Sequence, residues 1–404
     1  MSQSLPTPAA AAPKAVAPAP ALRGWPLLRL GFRPFYLLAA GLACLSVPWW
    51  IGVFLGHTVP GVVFPPLLWH AHEMLFGFAA GVIVGFLLTA VRAWTGLPTP
   101  RGPVLGALAL LWLAARLAAF TGPYALYAVL DVALLPAVAV LLLRVLVQAG
   151  NKRNIPLISL LLIMGLANAV FHLSVLGVIE IAPLTPLYVE LILVVMVICV
   201  MTGRVVPVFT KNVTPGLVIQ VPKWFEPWLL AVTALALALW VFAPPGWVTA
   251  AVCLLAAGFH GVRLWRWGLH RTLTRPILWI LHLSCAWFPV AFVLLALAQW
   301  GWVAPSLAVH ALGVGVIGGL IIGMVTRTAR GHTGRPLKAS KGEVLAYAMV
   351  MLAAVLRALV PAVAPAWYVP ALGWAAGLWG VAFAIYLVIY TPWLTRTRLD
   401  GKDG

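Results

Sequence analysis

Residues 183–207 read PLTPLYVELILVVMVICVMTGRVVP, and this run decides what kind of protein the chain is. Apart from Glu190 and Arg204 it carries no charge. As a helix it is about 37 Å long at 1.5 Å per residue, enough to cross a hydrocarbon layer of roughly 30 Å. Apolar runs of similar length recur along the chain, at 34–56, 66–91, 103–120, 123–147, 156–179, 224–243, 246–267, 276–299, 302–325, 342–363 and 367–390. The expected fold class is therefore all-α: a polytopic integral membrane protein, a bundle of about twelve transmembrane helices whose partner is the lipid bilayer.

Composition carries the same message. Of 404 residues 63% are hydrophobic and 8% charged, with a mean hydropathy of +1.05. Soluble domains sit near about 45–50% apolar and about 25% charged. A formal charge of +18 on a soluble chain would suggest nucleic acid, but here the basic residues lie between apolar runs and mark topology. Arg92 and Arg101, Lys152 and Arg153, Lys211 and Lys223, Arg271 and Arg275, and the stretch from Arg327 to Lys341 fall in alternate connections, while the opposite connections hold no Lys or Arg. The positive-inside rule then makes both termini cytoplasmic, with no nucleic-acid partner. The opposite connections (APPGW, QWGWVAP, PAVAPAW) are short and suit tight turns flanked by interfacial aromatics. Residues 1–22, mostly Ala and Pro, are expected to be a disordered cytoplasmic tail, 23–395 the membrane domain and 396–404 a second tail. No internal repeat stands out.

Cys44, Cys199, Cys253 and Cys285 lie singly inside apolar runs and suggest packing rather than disulfides. No CxxCH occurs, so any haem would be held non-covalently.

Ionisable groups inside membrane helices are costly and face the bundle interior or a functional site. His70 and His72 begin the second run, His172 lies near the end of the fifth, and His310 sits in the first half of the tenth. All four fall roughly 6–12 Å below the outer boundary, a shared depth that predicts a metal or haem site. His282 and His260 lie nearer the cytoplasmic side and form a second tier. At about 100° per residue His70 and His72 point to faces about 200° apart, so they serve two centres flanking one helix, or one ligand and one hydrogen-bond partner. Glu73 and Met74, one turn beyond His70, are expected on its face, which makes Glu73 a candidate proton carrier. Glu190 and Asp131 are further buried carboxyls of this kind. Arg116 and Arg357, in outer halves, need an anion; haem propionates or Glu190 would serve. Gly77, Gly81 and Gly85, and likewise Gly315, Gly319 and Gly323, form small-residue ridges that allow close helix approach. The first ridge, read as continuing the His70 face, would take a helix or a flat macrocycle.

GFRPF (31–35), WHAHEMLFGF (69–78), GFLLTAV (85–91), NAVFHL (168–173), GRVVPVFTKN (203–212) and GHTGR (331–335) together resemble the NnrS family of bacterial inner-membrane proteins. The resemblance brings Arg33, Asn168, Arg204, Asn212, His332 and Arg335 into view as motif positions. It implies a twelve-helix inner-membrane protein with b-type haem and copper, associated with denitrifying metabolism and with resistance to nitric oxide, fed by quinol or a redox partner if it turns nitric oxide over. Haem–copper oxidases also place histidine centres in the outer half of about twelve helices, but their adjacent His-His pair is missing here. The alternative readings are a secondary transporter of a small anion or metal chelate, and a haem or copper assembly factor.

Overall fold

The computed structural model describes residues 24–57, 61–214 and 216–402; the expected N-terminal tail lies outside them. Twelve helices among the described residues are long and apolar enough to cross a membrane. They are α1 (Phe32–Phe54), α2 (Pro66–Thr95), α3 (Pro103–Thr121), α4 (Tyr124–Gln148), α5 (Lys152–Val175), α6 (Leu184–Val213), α7 (Phe225–Phe242), α8 (Trp247–Arg271), α9 (Pro276–Gln299), α10 (Pro305–His332), α11 (Lys341–Val363) and α12 (Pro365–Leu394). No strand occurs among the described residues. The chain is a multi-pass membrane protein. Several helices start on a proline, whose missing N–H costs nothing in a first turn; Pro66, Pro103, Pro276 and Pro305 do so.

Most successive helices pack against one another, and α1 lies along α12, bringing the first and last of the twelve helices together. Arg33 at the start of α1 donates from Nη1 to the carbonyl oxygens of Leu394 and Arg396, both at 2.8 Å. Helices α2, α9 and α10 are the most buried and form the centre.

The glycine ridges explain how the centre packs. A Cβ at Gly315, Gly319 or Gly323 would come within 2.4 Å of Trp287, 2.3 Å of Ser284 or 2.8 Å of Leu281, all on α9. On α2, Gly77, Gly81 and Gly85 press instead on Leu42, Ala39 and Phe35 of α1 and on Trp112 and Arg116 of α3. This Gly77 ridge thus continues the face of Glu73 rather than that of His70, and of the two expected occupants, a helix or a flat macrocycle, it is helices that lie against it.

Three helices contain π-helical segments: Glu73–Ala79 in α2, Ala311–Gly318 in α10 and Val355–Leu359 in α11. Such widened turns free a backbone carbonyl that lipid cannot satisfy. In α2 the Trp112 indole N–H donates to the Gly77 carbonyl oxygen at 3.1 Å.

Candidate functional site

All three π segments border one cavity. Its volume is ≈ 310 Å³, and α1, α2, α6, α10, α11 and α12 enclose it near the bundle end opposite the Arg33 clamp. Met74, Leu75 and Phe78 come from the first segment, Gly313, Val314 and Ile317 from the second, and Arg357 from the third. The walls are overwhelmingly apolar, and the strong donors on them are His70, His310 and Arg357. The two imidazoles lie with ring centroids 6.4 Å apart and planes 12° from parallel. His70 also stacks on Trp50 at 5.1 Å and 8°. His310 Nδ1 donates to the Ser306 carbonyl oxygen at 2.7 Å, one turn back on its own helix. Nη1 of Arg357 and Nδ1 of His70 are buried without a partner among the described residues.

On the other face of α2 lies a second constellation of opposite character. His72, Asp131 of α4 and His172 of α5 are buried, with donor atoms within 4.8 Å of one another. Asp131 Oδ2 stands 3.1 Å from His72 Nε2 and 3.2 Å from His172 Nε2. Each imidazole is oriented from its far nitrogen: Tyr124 meets His172 Nδ1 at 2.9 Å, and Tyr127 and Glu73 meet His72 Nδ1 at 2.9 and 3.3 Å. Asn168 donates to Asp131 Oδ2 at 2.7 Å and places its Oδ1 3.0 Å from His72 Nε2. Arg116 of α3 pairs with Glu73 at 2.9 Å and with Asp131 Oδ1, its guanidinium lying over the Trp112 ring. Two carboxylates thus share one guanidinium. With neutral imidazoles one negative charge remains inside a low-dielectric bundle, and a bound cation or an extra proton would balance it.

The four histidines expected at one depth are at one end of the bundle but form two pairs, His70 with His310 and His72 with His172. Glu73 departs from expectation. It turns to Arg116, Tyr127 and His72, while Met74 alone follows His70 into the cavity. Arg116 is committed to two carboxylates rather than to a propionate, and Arg357 alone faces the cavity. Glu190 pairs with neither arginine: both its oxygens are fully buried without a partner among the described residues, beside the cavity-lining Leu187 and Leu191. His260 and His282 do not meet. His260 stacks on Phe288 and bonds Thr233 at 3.0 Å, and His282 Nε2 bonds Thr210 at 2.8 Å.

Tyr124 and Tyr127 escaped the sequence reading. Their signal was present, because 124, 127 and 131 fall at i, i+3 and i+7 on the face that carries Asp131.

One family model, described as NnrS protein, matches residues 26–398, almost the whole chain. The chain belongs to the NnrS family. Membership makes it, in general terms, a nitric-oxide-related membrane protein from a family associated with haem and metal. A search of curated proteins returns no match. The NnrS match runs beyond the quoted motifs into α11 and α12, where Arg357 and Tyr368 line the cavity.

The motif stretches WHAHEMLFGF and NAVFHL supply His70, His72, Glu73, Asn168 and His172 to the two constellations, whereas the motif positions outside those stretches join neither. Arg33 clamps the chain ends, Arg204 donates to Asn154 Oδ1 at 2.8 Å, and Asn212 is exposed near the end of α6. His332, expected in a loop, is the last residue of α10 and packs on Phe32, while Arg335 lies over the Trp393 ring. The motif positions Arg33, Arg204, Asn212, His332 and Arg335 are thus outside both constellations.

The residues present suit both groups associated with the NnrS family. An apolar cavity with two near-parallel imidazoles and a guanidinium whose Nη1 has no hydrogen-bond partner among the described residues has the chemistry of a non-covalent haem pocket. Donor atoms of His72, Asp131 and His172 within 4.8 Å of one another, two of the separations being 3.1 and 3.2 Å, suit three ligands converging on one metal ion.

Proposed function

We propose that this protein holds a b-type haem in the cavity between α2 and α10 and a copper ion at His72, His172 and Asp131, and that it handles nitric oxide there. The observation carrying the reading is the pair of near-parallel imidazoles on an apolar cavity, with the Nη1 of Arg357 lacking a hydrogen-bond partner among the described residues. A haem supplies an iron that binds nitric oxide and exchanges electrons. The chain's own groups do the rest. Arg357 offers its free Nη1 to a propionate, the apolar wall excludes water, and Trp50 fixes the plane of His70. Tyr124, Tyr127 and Glu73 hold the Nδ1 atoms of His72 and His172, so that both Nε2 atoms turn toward Asp131, where a metal would take the place of the contact between His72 Nε2 and Asn168 Oδ1. Arg116 pairs with Glu73 and with Asp131 and so offsets the cost of burying the two carboxyl groups.

Turnover would consume protons, and Glu73 at the copper ligands or Glu190 beside the cavity are the carboxyls placed to supply them. Electrons then come from quinol or a redox partner. We place the protein in the bacterial inner membrane with both chain ends cytoplasmic, so that both constellations lie toward the periplasm. The test is the absorption spectrum of the purified protein with and without nitric oxide, together with iron and copper analysis. A haem band that shifts with nitric oxide, and bound copper, are expected. Colourless, metal-free protein overturns the reading.

A further inference from the structure

The two cavity histidines do not have equivalent surroundings, and that asymmetry reaches further than a haem pocket. Two imidazole nitrogens each about 2 Å from one metal atom bring the ring centroids to roughly 6 Å. The 6.4 Å separation of His70 and His310 matches that spacing, with planes 12° apart. The rings arrive from different helices. His310 is the residue immediately before the π segment of α10, and His70 stands three residues before that of α2. Widened helix of this kind is uncommon and is typically kept where it positions functional groups.

The rings are held by different means. His310 Nδ1 donates to the Ser306 carbonyl oxygen, which fixes the tautomer, leaves Nε2 as the ligating atom and raises its basicity. His70 has no such support: Trp50 sets its plane by stacking, but its buried Nδ1 has no partner among the described residues.

We propose that His70 and His310 are both axial ligands of one iron, making the resting haem six-coordinate, and that His70 is the ligand displaced when nitric oxide binds while His310 stays. The proposal rests on a haem occupying the cavity. The exchange needs no oxidant or reductant: the bond from iron to the His70 nitrogen breaks, one to nitric oxide forms, and neutral His70 swings aside against Trp50. A site built this way holds its iron closed to water and weak ligands and opens to a strong one.

The test uses the full-length protein in detergent, read by absorption and electron paramagnetic resonance. Wild-type ferric haem is expected to be low-spin, with the rhombic signal that near-parallel imidazole planes produce. His70→Ala should keep its haem, become high-spin, return to low-spin when free imidazole is added, and bind carbon monoxide in the ferrous state roughly tenfold faster or more. His310→Ala should lose haem roughly tenfold, because the oriented ligand is the one that retains the cofactor. A wild-type haem that is bound but five-coordinate and high-spin overturns the axial pair and leaves the haem reading standing; haem-free wild type removes that reading itself. The reverse pattern, haem lost from His70→Ala and kept in His310→Ala, overturns the assignment of the leaving ligand. If neither variant folds, the wild-type spin state still decides the pair.

Discussion

Two buried arginine–carboxylate networks stand at opposite ends of the bundle, and their charge counts differ. Arg330 of α10 grips Glu343 of α11 with both arms, Nε to Oε1 at 2.7 Å and Nη2 to Oε2 at 2.5 Å. Tyr390 of α12 donates to the same carboxylate, and Ser340 and Glu343 complete a capping box at the start of α11. One cation meets one anion, and the remaining lone pairs are filled. Arg116 instead meets Glu73 and Asp131 together, with two imidazoles beyond them. The balanced network ties three helices together, while the unbalanced one has one more carboxyl group than guanidinium. Charge count, rather than burial or hydrogen bonding, separates the two networks.

The largest effect should come from breaking the balanced network. Arg330→Met leaves Glu343 buried without its cation, and the expected loss is about 3–5 kcal/mol. It should appear as a lower melting temperature in detergent, mostly recovered by adding Glu343→Gln, with copper and haem per folded molecule unchanged. Recovery that fails would show that Arg330 holds something other than Glu343.

At the unbalanced network the same kind of change should act in the opposite sense. Asp131→Asn leaves Arg116 with Glu73 alone, so the fold should survive, whereas copper content should fall roughly tenfold or more on loss of a ligand. Haem content should not move, because His70 and His310 lie across α2. Joint loss of both metals from stable protein would mean that the two constellations work as one centre.

A finer cut is Tyr124→Phe, which removes only the group that orients His172. Loss of such an outer partner weakens metal binding roughly tenfold. A copper titration that is unchanged would take Tyr124, and with it the orienting role, out of the centre.

The smallest effect is expected at Thr233→Val, which deletes the hydroxyl bonded to His260 and should cost about 1 kcal/mol. Since His260 is wedged against Phe288 and away from both constellations, the haem spectrum and copper content should stay as they were. Any cofactor loss here would make His260 a ligand after all.

Particular residues show how far the site could be read in advance. His70 and His72 declare opposite faces from their spacing alone, and the structure gives each its own constellation. Glu73 was ambiguous in a way that spacing cannot resolve. It lies about 60° from His70 and about 100° from His72 around an ideal helix, and it goes to the farther one because Arg116 waits on that side. Glu190 was expected beside an arginine on grounds of depth, but equal depth does not make neighbours, and α6 carries it where its oxygens meet no partner among the described residues. The π segments left no trace in hydropathy, since widening a turn changes rotation without changing which residues are apolar.

What the sequence by itself determined is the crossing pattern. A run of about twenty apolar residues must form a helix in lipid whatever its neighbours, because every backbone N–H and C=O has to be satisfied within the segment. The clustering of basic residues in alternate connections belongs to this local level too, as does the two-faced placement of the histidines on α2. Only the tertiary structure decided which residues from distant segments meet: His310 with His70, Asp131 and His172 with His72, and Arg116 with two carboxylates instead of one. Lipid drives each helix to form but not to choose a partner, and that choice rests on shape at ridges such as Gly315, Gly319 and Gly323 and on the pairing of buried charges, both of which exist only after the helices have packed.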